Sequence, residues 1–310
     1  MNPSTLCAVD ALHYRQRTMQ SADVAALTRI TIQDMLAAFG LNRLRHGRRL
    51  LSALCHRPAQ RFARTVAEFD RRIAATGLQA AAAWALERFA TTVQADGIDC
   101  IPQDSPLLFA SNHPGIADTL ALFATIPRPD LMTVAAERPF LQALPHMARQ
   151  LIFVKEDGAS QLSVVRAVGM HLRRNGAALT FPAGCIEPDP AHLSGAVESL
   201  ARWSPSVDLF ARLASDLTVV PTLVSNVFNP RALHNPLSRL YKKPADRERF
   251  AAMLQVMAPH RLPTTIHVVF GEPLRASACR EKRQLALHSD LRKRMEILLE
   301  RQRKLRNGQT

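Results

Sequence analysis

Cysteine and aromatic residues are scarce in this chain, and each shortage removes a class of protein. The five cysteines, Cys7, Cys55, Cys100, Cys185 and Cys279, stand singly. With no C-x-x-C pair and no even set of short spacings, neither a disulfide framework nor a zinc ribbon is expected, and the simplest setting is a reducing cytoplasm. Two Trp and two Tyr are too few to interleave with basic residues as a stacking platform for single-stranded nucleic acid, and no zinc-finger or RNA-recognition pattern occurs. No run of about 18 apolar residues is present, so no membrane-crossing helix is expected. Asp10, His13, Arg15 and Arg17 interrupt the N-terminal region, so a secretory leader is not expected either. His113, His146, His171 and His192 lack the spacing of a metal site.

What is present is an ordinary globular composition, 47% hydrophobic and 21% charged over 310 residues, enough to bury a sizeable core. Forty Lys and Arg against 26 Asp and Glu leave a net charge of +14. Only six of the cations are lysine (Lys155, Lys242, Lys243, Lys282, Lys293 and Lys304), so 34 are arginine. The guanidinium fork pairs with phosphate and carboxylate oxygens two at a time. The excess therefore calls for a phosphate-bearing partner: nucleic acid, anionic lipid headgroups or coenzyme A.

Residues 1–95 read as a helical, basic region. In residues 21–39, Val24, Leu27, Ile30 or Thr31, Met35 and Phe39 fall near helical spacing, with Ser21 as the candidate cap and Gly40 as the stop. A second helix is expected over Arg61–Thr76 from Phe62, Val66, Phe69 and Ile73. Between them Arg43, Arg45, Arg48, Arg49 and Arg57 surround Leu44, Leu50, Leu51 and Leu54. Such a stretch suits an anionic lipid surface, and equally the solvated face of a helical bundle. Over 96–275 short apolar runs alternate with amphipathic segments: Leu107–Ala110, Leu131–Ala135, Leu151–Lys155, Ala178–Phe181, Val219–Val224 and Ile266–Phe270. This alternation predicts an α/β domain, a mixed, largely parallel sheet flanked by helices. Pro221 favours an edge strand or a bulge for its run. Residues 276–310 read as a charged C-terminal helix.

The segment 107–123 carries the chemistry. An apolar run delivers the chain to Ser111-Asn112-His113, and Pro114 then favours a helix start. Within one helix an offset of five residues is ~140° of rotation and would separate His113 from Asp118. With His113 outside the helix, its ring can fold over the first turn and meet Asp118. A carboxylate on one imidazole nitrogen fixes the tautomer and raises basicity at the other. No G-x-S-x-G accompanies the pair, so activation of a substrate hydroxyl is the better reading. A second segment, 177–189, is a strand ending at Phe181-Pro182, followed by Gly184 in a tight turn where backbone amides can approach an oxyanion.

In this order the pieces resemble the glycerolipid acyltransferase family that includes the 1-acylglycerol-3-phosphate acyltransferases. Its N-H-x-S-x-x-D motif is similar to Asn112-His113-Pro114-Gly115-Ile116-Ala117-Asp118, its F-P-E-G-T motif to Phe181-Pro182-Ala183-Gly184-Cys185, and its V-P run to Val220-Pro221. The resemblance spans roughly residues 95–275. Two positions depart from it. The family's I-F-I-D-R strand end, whose Arg helps hold the acceptor phosphate, is here Ile152-Phe153-Val154-Lys155-Glu156, leaving Lys155, Arg166 or Arg173 to supply the cation. The Glu of F-P-E-G-T is Ala183 here, closer to a hemolysin-like or ornithine-lipid-like branch, with Glu187 nearby as the carboxylate that could compensate.

The resemblance implies transfer of a fatty acyl group from acyl-coenzyme A or acyl-carrier protein to the hydroxyl of a lysophospholipid, glycerol phosphate or related lipid. His113 would be the base and Asp118 its orienter, with Lys155, Arg166, Phe181, Pro182, Gly184 and Glu187 around the substrates. No metal or cofactor beyond the thioester donor is implied. The implied setting is the cytoplasmic face of a membrane, with an anionic surface as partner. The alternative is a relative that binds lysolipid or acyl chains without turnover.

Overall fold

Each of the six apolar runs becomes a strand of one sheet in the computed structural model, which describes residues 21–38, 40, 48–155, 161–241, 243–277 and 286–306. The strands are β1 (Thr91–Asp96), β2 (Leu107–Ser111), β3 (Met132–Ala136), β4 (Leu151–Val154), β5 (Ala177–Thr180), β6 (Thr218–Ser225), β7 (Thr264–Phe270) and β8 (Leu274–Arg275). Their order is β1-β7-β6-β2-β5-β3-β4, with β8 paired to β6 beside that path. Strands β6, β2, β5, β3 and β4 run parallel. β7 and β8 run antiparallel to β6, and β1 is parallel to β7. The fold is α/β, a mixed and mostly parallel sheet flanked by helices.

The longer helices are α1 (Val24–Ala38), α2 (Arg48–Thr76), α3 (Leu78–Arg88), α4 (Ile116–Thr125), α5 (Gln161–Arg173), α6 (Ser206–Leu213), α7 (Pro244–Met257) and α8 (Ala286–Arg306). Alternate residues of β2 serve the two layers. Leu107 and Phe109 meet the apolar faces of α2, α3, α4 and α7. Leu108 and Ala110 meet those of α5, α6 and α8. Because both faces are covered, every residue of β2 is buried, and its sequence is a continuous apolar run rather than an alternating one.

Three sequence expectations change. From Arg48 on, the basic stretch and the second helix are one helix, α2, with Pro58 inside it, while residues 43–47 of that stretch lie outside the described residues. Proline removes the bond to the Leu54 carbonyl, but Leu54 lies on the exposed side, at 67%, where water can take that carbonyl. The side chains of residues 43–50 lie outside the described residues, as does the start of the expected C-terminal helix at 278–285. The helical N-terminal region closes with strand β1, whose Thr91, Thr92 and Val93 suit a half-buried edge.

Pro221 sits in an interior strand rather than at an edge or bulge. On its β7/β8 side the pairing passes from Leu274 opposite Val219 to Phe270 opposite Thr222. The Pro221 carbonyl accepts the Gly271 N–H at 2.7 Å. The missing proline N–H thus falls where the partner changes, and no ladder bond is lost.

The helical layer is tied to the sheet by a buried carboxylate. Asp70 of α2 accepts the backbone N–H groups of His146 (3.0 Å) and Met147 (2.8 Å) in the β3–β4 connection. Burial raises its pKa, against lowering by those bonds and by the charges of His146 and Arg149. Asp70→Ala leaves two amides without their acceptor and is expected to cost about 2 kcal/mol, read as a lower urea midpoint at unchanged m-value.

Candidate active site

The carboxyl ends of the five parallel strands form one rim, the place where α/β sheets gather functional groups. At its centre β2 is carried one residue past its end by a side chain. Asn112 donates through Nδ2 to the Val224 carbonyl (2.8 Å) and accepts the Val224 N–H at Oδ1 (2.7 Å), mimicking a ladder pair with β6. The next residue, His113, therefore leaves the sheet at a fixed point.

Gly115 caps α4 in an extended conformation and Asp118 occupies the third helical position. The Asp118 Oδ2 accepts the Gly115 N–H at 2.9 Å, closing one arm of a capping box, and meets His113 Nδ1 at 2.8 Å. Oδ1 accepts the Thr119 hydroxyl at 2.9 Å. A carboxylate fully engaged as acceptor requires the proton on Nδ1, which leaves Nε2 with its lone pair. Asp118 is fully buried while His113 keeps 24% of its side chain exposed. Burial lowers the imidazole pKa, but the charge and hydrogen bond of Asp118, joined by the charge of Glu187, outweigh it and hold the pKa above its ordinary 6.5.

The loop after β5 forms the opposite wall. The Phe181 ring stacks on His113 with centroids 4.3 Å apart. Pro182 is buried, and Ala183 packs toward the α5/α6/α8 layer. Gly184 adopts φ +64°, and a Cβ there would face open space; its N–H closes the turn onto the Phe181 carbonyl (3.0 Å). The exposed Cys185 and Ile186 follow.

Glu187 turns inward rather than toward a substrate. It is 1% exposed. Its carboxylate accepts the His113 N–H (3.0 Å), the Ser199 hydroxyl (2.7 Å) and the Trp203 indole N–H (2.9 Å). Two residues on, the buried Asp189 accepts the N–H groups of Asn226 and Val227, both at 2.8 Å, which fixes the turn after β6.

The structure brings His113, Asp118, Phe181 and Glu187 into direct contact, with Pro182 and Gly184 in the same turn. Lys155 is exposed at the end of β4. That strand lies three positions from β2, a separation of about 14 Å at the usual strand spacing. Arg166 is exposed on α5. The sequence reading missed Thr119, Ser199 and Trp203. Thr119 adjoins Asp118 and Trp203 is one of two tryptophans, but nothing in the spacing joins residue 203 to residue 187. Ser111 is fully buried with its hydroxyl on the Asn112 carbonyl (2.9 Å), so it presents no nucleophile. Among the described residues no three His, Cys, Asp or Glu gather as metal ligands, and no helix is long and apolar enough to cross a membrane.

No protein-family profile and no curated protein sequence matches the chain. Among solved structures it is similar to the crystal structure of the 1-acyl-sn-glycerophosphate (LPA) acyltransferase PlsC from Thermotoga maritima. The TM-score is 0.47 and the identity 15%, over 92% of this chain and 97% of that chain.

The raised His113 pKa fixes a pH dependence. The folded state favours the protonated ring, so this contribution to stability is complete below the unfolded value near 6.5 and is lost as pH climbs through the folded value. Asp118→Asn removes the favourable charge. The stability gap between wild type and Asp118→Asn, measured by urea unfolding, is therefore expected to be wider at about pH 6 than at about pH 9.

Proposed function

We propose that the chain is an O-acyltransferase. It moves a fatty acyl group from acyl-coenzyme A or acyl-carrier protein to the hydroxyl of a lysophospholipid, glycerol phosphate or related lipid. The observation that carries this reading is the His113 ring, clamped at Nδ1 by Asp118 (2.8 Å) and partly open to solvent on the sheet's carboxyl rim. Its neighbouring serine is buried and occupied. A base without a serine partner acts on the substrate's own hydroxyl.

In the proposed reaction His113 Nε2 takes the acceptor's hydroxyl proton as the oxygen attacks the thioester carbonyl. The imidazolium that forms is stabilised by Asp118. The oxyanion is assigned to amides of the turn at 183–186; Gly184's own N–H is taken by the Phe181 carbonyl, which leaves the task to its neighbours. Collapse of the tetrahedral intermediate breaks the C–S bond, and His113 returns its proton to the thiolate. The new ester and the free thiol account for every atom and proton, with no metal, cofactor or covalent acyl-enzyme. Lys155 and Arg166 are the cations assigned to substrate phosphates, while Phe181, Pro182 and Gly184 border the reacting groups.

The proposed seat is the cytoplasmic surface of a membrane. Exposed Arg57, Arg61 and Arg64 follow Leu54 along α2 at helical spacing. Three exposed aliphatic residues, Leu162 at 82%, Ile186 at 46% and Val197 at 47%, belong to segments following β4 and β5. Cations beside an exposed apolar side chain suit an anionic headgroup layer, and the α2 row with Leu54 is such a surface. Each cation near such a surface contributes about 1 kcal/mol, so the Arg57→Gln, Arg61→Gln, Arg64→Gln triple variant is expected to bind anionic vesicles about a hundredfold more weakly. Co-sedimentation in low salt measures it.

Acyl transfer itself is tested with purified protein, acyl-coenzyme A or acyl-carrier protein and a panel of lysolipids, following thiol release and identifying products by mass spectrometry. His113→Ala is expected to lose at least about a hundredfold in rate. Undiminished transfer by that variant would sink the mechanism.

A further inference from the structure

His113 is held from two sides, and only one of them is the ring. Asp118 grips Nδ1 from α4. Glu187, from the loop after β5, grips the main chain: its carboxylate takes the His113 N–H at 3.0 Å, and its own N–H goes to the His113 carbonyl at 2.8 Å. This reciprocal pair lies beyond the end of β2, where no strand pairing remains to fix the backbone. The carboxylate is fixed in turn. Ser199 and Trp203 both reach Oε1, at 2.7 and 2.9 Å, and these residues are 5% and 3% exposed. The Ser204 N–H joins the Pro182 carbonyl at 2.9 Å, so the segment 199–204 backs the whole turn 181–187. Phe181 of that turn also stacks on the imidazole. A buried carboxylate with several donors is an expensive feature unless it is well paired, and here its pairing converges on the backbone of one residue.

We propose that Glu187 is a positioning residue for His113, fixing the main chain of the base so that Nε2 is held at the mouth of the site, while Ser199 and Trp203 hold Glu187. Its kinetic consequence rests on the acyl-transfer reading; its effect on the imidazole does not. The carboxylate's charge also adds to that of Asp118 in favouring the imidazolium.

Glu187→Gln tests this. The variant keeps the size of the side chain but sets one oxygen and one NH2 against two donor-only groups, the His113 N–H and the Trp203 indole N–H, so one of these loses its acceptor; the Ser199 hydroxyl can turn its proton to the Ala196 carbonyl (2.7 Å) and accept instead. Two readouts are used on the full chain. The first is the His113 titration, followed by NMR of histidine-labelled protein without substrate and assigned by the His113→Gln spectrum. The expected result is a midpoint shifted downward from wild type. The second is steady-state acyl transfer, where a displaced base is expected to lower kcat by about a hundredfold with KM for the thioester little changed. Trp203→Phe keeps the ring in the core and removes one donor to Glu187; it is expected to lower kcat in the same direction by a smaller factor, and it decides the matter if Glu187→Gln does not fold. A folded Glu187→Gln protein with the wild-type His113 midpoint and wild-type kcat would overturn the proposal, as would wild-type kcat in Trp203→Phe should Glu187→Gln not fold. If the wild type transfers no acyl group, the acyl-transfer reading fails, and solvent exchange of the His113 backbone N–H decides the role of Glu187: faster exchange in folded Glu187→Gln is expected, and unchanged exchange would overturn the proposal.

Discussion

One carboxylate oxygen, Asp118 Oδ2, does two jobs that fix the site. It closes the first turn of α4 by accepting the Gly115 N–H, and it holds the His113 ring by Nδ1. Helix start and imidazole orientation are therefore the same interaction. The five-residue spacing follows from this: His113 must lie outside the helix and Asp118 must lie at its third position. Either residue moved by one place would put the oxygen out of reach of one partner. The Asn112 pairing with Val224 sets the point from which His113 departs, so sheet, helix and base share one anchor.

The electrostatics follow from burial. Asp118 is fully enclosed and His113 only partly so, which strengthens their attraction and leaves Nε2 accessible. Glu187 contributes a second nearby charge. An imidazole in this setting suits a reaction in which it gains a proton early and gives it up late. The net charge of +14 acts at another scale. Spread over surfaces such as the exposed arginine row of α2, it is the charge that the proposed anionic layer would meet, apart from the proposed proton transfer.

Much of the fold was legible because a doubly covered parallel sheet writes itself as short apolar runs. The six runs gave six strands, and their boundaries shifted by only a residue or two. β1 was not legible: its polar half-exposed sequence matters only because β7 lies beside it. Pro221 misled for a similar reason, since its tolerance depends on a change of partner between β8 and β7 that sequence does not display. The dyad was legible from Pro114 and the spacing to Asp118. The inward turn of Glu187 was not, because Ser199 and Trp203 reach it across a loop of no fixed period. Lys155 shows the reverse case. It lies within the stretch compared with the family's I-F-I-D-R strand end, yet β5 and β3 stand between its strand and β2.

The central claim is that His113 acts as a base toward a substrate hydroxyl, with no acyl group resting on the protein. Cys185, exposed in the same turn, is the side chain whose acylation would say otherwise. Intact-mass spectrometry of the protein mixed with acyl-coenzyme A alone, quenched within a turnover time, addresses this directly. The account predicts an unchanged protein mass, with thiol release appearing only when the lysolipid is added. A protein heavier by one acyl group, formed with release of free thiol before any acceptor is present, would contradict it.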